Sequence, residues 1–336
     1  MLRISFVNGL LLVSTLISTD VASAQYPKIN LAYGYEVDVE WPKKPLPHRW
    51  RYVTGVAVDS QDRIWIVNQM DPPVQCYDRE GNLVEAWGDG QFAFPHFLRV
   101  DADDNIWVAD FQKHAVRKYS QKGELLLTLG TLGEAGSDNA HLNGPTDVAI
   151  AKNGDLFVTD GYGNNRIMHY NSDGKFIKTW GELGQEPGQL SQPHGITIDS
   201  EGKLYVAERN NCRIQVFNQE GESLDQWRHL VNPWGMWMTD DDELLISGSA
   251  PARWKAEFGN LGNPPTNQLV VKFDLTGRMK ELWVLPLSKP GTMNPGELDW
   301  VHAIAADKDG NIYLGDVADE SPFHRIQKFN RLVPEK

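Results

Sequence analysis

Six times along the chain the same order of apolar and polar positions returns. One polar or aromatic residue sits behind a small, cyclic or apolar one, then an alternating apolar run leads to a turn and a second apolar run. The copies read Tyr-Val-Thr-Gly-Val-Ala-Val-Asp at 52–59, Phe-Pro-His-Phe-Leu-Arg-Val-Asp at 94–101 and Gly-Pro-Thr-Asp-Val-Ala-Ile at 144–150. They continue as Gln-Pro-His-Gly-Ile-Thr-Ile-Asp at 192–199, Asn-Pro-Trp-Gly-Met-Trp-Met at 232–238 and Trp-Val-His-Ala-Ile-Ala-Ala-Asp at 300–307. Recurrence of this kind marks one supersecondary unit stacked on itself.

The copy at 192 resolves into four short β-rich runs, 195–199, 203–207, 213–217 and 223–227, separated by Ser-Glu-Gly, Arg-Asn-Asn and Gln-Glu-Gly turns. The copy at 144 repeats them at 148–151, 155–159, 166–170 and 175–180. Four antiparallel strands in each of six copies predict an all-β, six-bladed β-propeller, a fold that hides its sheet edges by radial repetition. Trp87, Trp180 and Trp227 close equivalent outer strands and are expected to pack between blades. The last copy has three strands before the chain runs out. The segment at 35–41 (Tyr-Glu-Val-Asp-Val-Glu-Trp) resembles the missing outer strand and is expected to latch the ring.

The polar position reads Thr54, His96, Thr146, His194, Trp234, His302, with spacings of 42, 50, 48, 40 and 68 residues. Histidine therefore occupies alternate copies. Closing the ring would aim three imidazoles at one axis, the arrangement of a three-histidine metal site with an open fourth position. Neutral imidazoles favour Zn²⁺. The loops between second and third strands open at the same mouth, because antiparallel neighbours turn there. They bring Tyr162 and Arg209, and the fifth copy adds the long insertion 249–268 with Arg253, Trp254 and Lys255. The acids Asp110, Asp160, Glu208 and Asp316 recur at equivalent strand ends, which points to loops tied together rather than to catalysis.

Composition narrows the setting. A run from Gly9 to Ile17 behind Arg3, with Ala-Ser-Ala at 22–24, reads as a signal peptide over 1–24, followed by one propeller domain over 25–336. The run is too short for a membrane span, so a secreted or periplasmic protein is expected. A formal net charge of −13 argues against nucleic acid or an anionic membrane surface as partner. Cys76 and Cys212 fall on opposite sides of such a ring, beyond the about 7 Å that a disulfide bridges. A monomer is expected.

The units Asp-Gly-Tyr-Gly-Asn-Asn-Arg-Ile (160–167) and Glu-Arg-Asn-Asn-Cys-Arg-Ile-Gln-Val-Phe (208–217) resemble NHL repeats. With Pro-Thr-Asp-Val at 145–148, Pro-His-Gly at 193–195 and Gly-Asp at 315–316, the chain is similar over about 50–330 to peptidyl-α-hydroxyglycine α-amidating lyase. That resemblance implies a zinc on His96, His194 and His302, a catalytic tyrosine at Tyr162 and a substrate-binding arginine at Arg209. It also implies a structural Ca²⁺, but the carboxylate expected after the last histidine is Ala303 here. A second arginine falls near Gln69, and the methionine two residues before the last histidine falls on Trp300. Arg253, Trp254 and Trp300 are then candidate substrate contacts, with the insertion as a lid.

The expected activity is cleavage of an N-Cα-hydroxy (hemiaminal) small molecule or peptide to an amide and a carbonyl product by a metal-dependent carbon–nitrogen lyase. Zinc would polarise the hydroxyl, Tyr162 would move the proton with its pKa lowered by Arg209 and the metal, and Arg209 would hold a substrate carboxylate. A non-catalytic NHL propeller binding a protein or glycan is the alternative. A lactonase-type hydrolase is a third reading, weakened by the lack of carboxylates at the channel positions.

Overall fold

The computed structural model describes residues 34–43, 48–229, 231–251, 267–288, 294–317 and 326–332. The segment 1–24, expected to be a signal peptide, lies outside them, as do Arg253, Trp254 and Lys255 of the expected lid. Among the described residues the chain forms six four-stranded antiparallel sheets. In blades 1 to 5 the strands run from axis to rim in chain order. The innermost strands are Val53–Val58, Pro95–Val100, Asp147–Ile150, Pro193–Ile198, Asn232–Met238 and Val301–Ala306.

Why these runs stack as blades follows from their burial. In the second and third strands of most blades nearly every residue is buried, so both sheet faces are covered by neighbours. Each of the six core clusters accordingly bridges at least two adjacent blades. Trp65 and Val67 of blade 1 meet Leu98 and Val108 of blade 2, for example, and Phe157 of blade 3 meets Ile196 and Phe217 of blade 4. The fourth strands are more exposed and carry the rim indoles. Trp87 packs at 5.0 Å from the Tyr119 ring, Trp180 at 6.3 Å from Phe217, and Trp227 at 5.5 Å from Phe273, each in the next blade.

These indoles also explain two glycines. Gly123 and Gly221 turn the last hairpin of blades 2 and 4 with φ of 80° and 84°. A Cβ there would lie 2.7 Å from Trp87 and from Trp180 respectively. Backbone sign and inter-blade contact therefore both exclude a side chain.

Ring closure uses the chain's beginning. Tyr35–Val37 pairs antiparallel with Ile326–Arg331 through Tyr35↔Arg331, Glu36↔Asn330 and Val37↔Phe329, completing blade 6. The strand is shorter than the segment 35–41 suggests, because a turn intervenes before Trp41. Trp41 nevertheless belongs to the latch. It is buried between Tyr313 of blade 6 and Tyr77 of blade 1, at 5.1 and 5.9 Å between ring centroids. Replacing Trp41 by Ala removes this wedge, at a cost of about 3–5 kcal/mol, so Tm is expected to fall by roughly 5–10 °C. A chain beginning at Pro42, which also bares the edge of Ile326–Arg331, should melt lower still. Unchanged melting of both in a thermal scan would mean that the ring closes without the latch.

Candidate functional site

The three alternate histidines meet. Among the described residues His96, His194 and His302 form the group of buried donors suited to a metal ion, with ligand atoms all within 4.8 Å of one another. Their ring centroids are 4.7, 4.8 and 4.9 Å apart, close to an equilateral triangle about the axis.

What orients them is the blade that follows each one. His96 Nδ1 lies 2.9 Å from the carbonyl of Thr146, His194 Nδ1 2.7 Å from that of Trp234, and His302 Nδ1 2.8 Å from that of Thr54. A carbonyl can only accept, so Nδ1 carries the proton in all three rings and Nε2 keeps its lone pair. The residues that are not histidine thus supply the acceptors for those that are. Thr54 and Thr146 in turn donate their hydroxyls to the carbonyls of Pro95 and Pro193, 2.9 Å in each case, continuing the belt.

Burial keeps the imidazoles neutral. It pushes His96 down to about 3, and it drives His194 and His302 well below the usual imidazole range, with Arg209 adding to the effect. Three neutral, pre-oriented nitrogen donors fit a borderline cation such as Zn²⁺.

Tyr162 and Arg209 come to the same point. The Tyr162 hydroxyl lies 2.9 Å from His96 Nε2 and 3.4 Å from His194 Nε2, and Arg209 Nη1 donates to it at 3.4 Å. Arg209 is buried with its guanidinium 3.9 Å over the Trp234 ring, while its Nε and Nη2 have no hydrogen-bond partner. Burial lowers its pKa to about 10, so it stays charged at neutral pH. From the site's own side chains, burial raises the Tyr162 pKa, and the opposing pull of Arg209 does not reverse that; the lowering expected from a bound cation is a separate effect.

Trp300 stands against Trp234 at 5.0 Å, its indole N–H without a partner. Gln69 lies at the end of the second strand of blade 1, its Nε2 buried and unpartnered. The recurrent acids tie loops. Asp110 accepts from the backbone of Ala93 and Phe94, and Asp160 from Asn143 N, Asn164 and Arg166. Glu208 accepts from Ser191 N, Asn211 and Arg213, and Asp316 from the backbone of Asp299 and Trp300.

Beneath the triad the axis is filled by groups that sequence reasoning missed. The Phe97 ring stacks on His302 at 4.9 Å and meets His194 at 5.6 Å. Below it, Arg99 donates through Nε to Asp147 at 2.9 Å and through Nη1 to the Met236 carbonyl at 3.0 Å, and Asp147 accepts from Ile196 N at 3.0 Å. Ala303 is buried and offers no carboxylate, and a guanidinium already neutralises Asp147, so these residues do not fit a calcium ion. Two clefts of about 520 and 770 Å³ open at the far end around Trp237, and neither is lined by a triad residue.

Comparison with known proteins agrees with this architecture. The NHL repeat family matches residues 92–119, 142–170 and 190–217. The chain is 32% identical over 233 residues to human NHL repeat-containing protein 3, covering 63% of this chain and 66% of that one. It is 32% identical over 327 residues to Xenopus laevis peptidyl-glycine alpha-amidating monooxygenase B, covering 86% of this chain and 35% of that one. It is also 32% identical over 203 residues to Drosophila melanogaster peptidyl-alpha-hydroxyglycine alpha-amidating lyase 2, covering 52% and 49%. The chain thus spans less than two thirds of the length of each of these relatives. A streptogramin B lyase structure shares the fold with a TM-score of 0.58 at 17% identity, covering 89% of this chain and 98% of that one. The chain is an NHL-repeat six-bladed β-propeller that resembles the peptidyl-α-hydroxyglycine α-amidating lyases.

Proposed function

We propose that this propeller is an exported, zinc-dependent lyase that splits an N-Cα-hydroxy (hemiaminal) substrate into an amide and a carbonyl product. The observation that carries the reading is the Tyr162 hydroxyl lodged against the Nε2 atoms of two triad histidines with Arg209 donating to it. The likeness to relatives named as amidating lyases supports it.

His96, His194 and His302 would hold the ion, and the chemistry it supplies there is Lewis acidity toward the substrate hydroxyl. In a hemiaminal the hydroxyl and the departing amide nitrogen share one carbon. An oxygen electron pair closes the C=O bond as the C–N pair leaves with nitrogen, and one proton passes from oxygen to nitrogen. A protonated Tyr162 would give its proton to that nitrogen while accepting the one from oxygen. Arg209 fixes the phenol and presents Nε and Nη2 to a substrate carboxylate.

The second reading is a propeller that binds a protein or glycan without chemistry, and a human relative named only for its NHL repeats is compatible with it. Two measurements separate them. Purified mature protein should carry about one zinc per chain, and replacing any triad histidine by Ala should abolish it. Full metal content after two such replacements would remove the three-histidine site. Zinc-loaded protein should turn over α-hydroxyhippurate, and Tyr162→Phe should lower kcat by about 10²–10⁴-fold with zinc content unchanged. Wild-type protein that binds zinc but leaves α-hydroxyhippurate intact would favour the binding module, and full activity in Tyr162→Phe would acquit the tyrosine.

A further inference from the structure

The residue two places before each polar position rings the mouth just above the triad. In blade order these are Tyr52, Phe94, Gly144, Gln192, Asn232 and Trp300. Gly144 makes room for Tyr162, whose Cβ would lie 2.8 Å from a Cβ at that position. Phe94 packs on Phe111 at 4.5 Å, and Phe111 on Tyr162 at 5.2 Å, so the side of blades 2 and 3 is aromatic. Blades 4 and 5 instead place two amides there. Gln192 and Asn232 are each 3% exposed.

Both amides leave buried atoms unsatisfied within the protein. Gln192 Nε2 and Oε1 and Asn232 Oδ1 are buried without a hydrogen-bond partner. The main chain of Gln192 is held on both sides: its N–H donates to Asn165 Oδ1 at 2.8 Å, and its carbonyl accepts from Arg209 N at 3.3 Å. Its φ of 52° lies in the left-handed region, which a residue with a Cβ adopts under strain. A strained backbone that buries an unpaired amide is doubly unfavourable for folding. Such costs concentrate where a ligand meets the group.

The chemistry of that ligand follows from the atoms left over. Arg209 Nε and Nη2, Gln192 Nε2 and the indole N–H groups of Trp234 and Trp300 are all donors, which an anion alone would satisfy. The oxygens of Gln192 and Asn232 are acceptors and would face that anion unfavourably. They require an N–H beside it. Resting on the lyase reading above, we infer that Gln192 and Asn232 are specificity-determining residues that accept the amide N–H of a substrate whose neighbouring carboxylate is held by Arg209. The acyl group then faces the aromatic side formed by Phe94, Phe111 and Tyr162.

Two isosteric, uncleavable probes test this. Hippurate carries a carboxylate and an amide N–H, and 3-benzoylpropionate replaces that N–H by CH₂. Calorimetric titration of zinc-loaded wild type should show hippurate binding on the order of tenfold more tightly. Gln192→Met, and Asn232→Leu made separately, should weaken hippurate alone and shrink the difference. Ligand-free variants should melt at or above the wild-type temperature, since an unpaired buried amide is lost. Equal binding of the two probes by wild type, or no binding of either, would overturn the inference. So would variants that melt lower while keeping the preference for hippurate, the mark of structural amides. Turnover of α-hydroxyhippurate without hippurate preference would reject this subsite and keep the lyase; preference without turnover would do the reverse.

Discussion

The hydrogen bond from a histidine Nδ1–H to a main-chain carbonyl of the following blade is the contact on which the site depends. It occurs three times, at His96, His194 and His302, and each instance spans an inter-blade boundary. The imidazoles are therefore not properties of their own strands. Their tautomer and direction are set by how neighbouring blades sit, and the His302 bond to Thr54 joins the last blade to the first. A ring that failed to close would lose that bond and leave one imidazole unoriented. Trp41, wedged between Tyr77 and Tyr313 at the same boundary, links the chain's first strand to the geometry of the triad.

Electrostatics divides the mouth. Three imidazoles, one phenol and one guanidinium are buried together, and among the described residues no carboxylate pairs with Arg209. A buried cation without a counter-ion is costly. Here the Trp234 face relieves part of that cost by cation–π attraction, and the Tyr162 oxygen accepts one N–H. The remaining N–H groups keep the site poised for an anion. The same cation also helps to hold the histidines neutral, so the group that favours a carboxylate also favours lone pairs on Nε2.

Much of the fold was legible because the repeat carries it. Alternating apolar runs, Gly-containing turns and rim tryptophans recur in register, and the unequal ends of the chain foretold the strand shared between Tyr35–Val37 and Ile326–Arg331. The triad was legible for the same reason: only the phase within the repeat singles out three of the chain's nine histidines. What escaped depends on distances between blades. No spacing announces that Phe97 stacks beneath His302, or that Arg99 reaches Asp147 one blade away. The burial that raises the Tyr162 pKa was not legible, because the chain shows charges but not burial. Gln192 and Asn232 could have been found. Lining up the six copies places two amides where the other copies carry aromatic residues or glycine.

The plug beneath the triad gives the mouth its direction. Phe97 lies against His194 and His302 on the axis, and the Arg99–Asp147 pair draws together blades 2, 3, 4 and 5 through Met236 O and Ile196 N. A buried ion pair of this kind adds little net stability unless its hydrogen bonds are well made. These are, since Asp147 accepts from two guanidinium nitrogens and two backbone N–H groups. With the floor fixed by side chains of the protein itself, the aromatic pair Phe94 and Phe111 stands on one blade and the polar pair Gln192 and Arg209 on another. Position along the axis is set by the blades, and orientation by this contrast between an aromatic wall and a polar one.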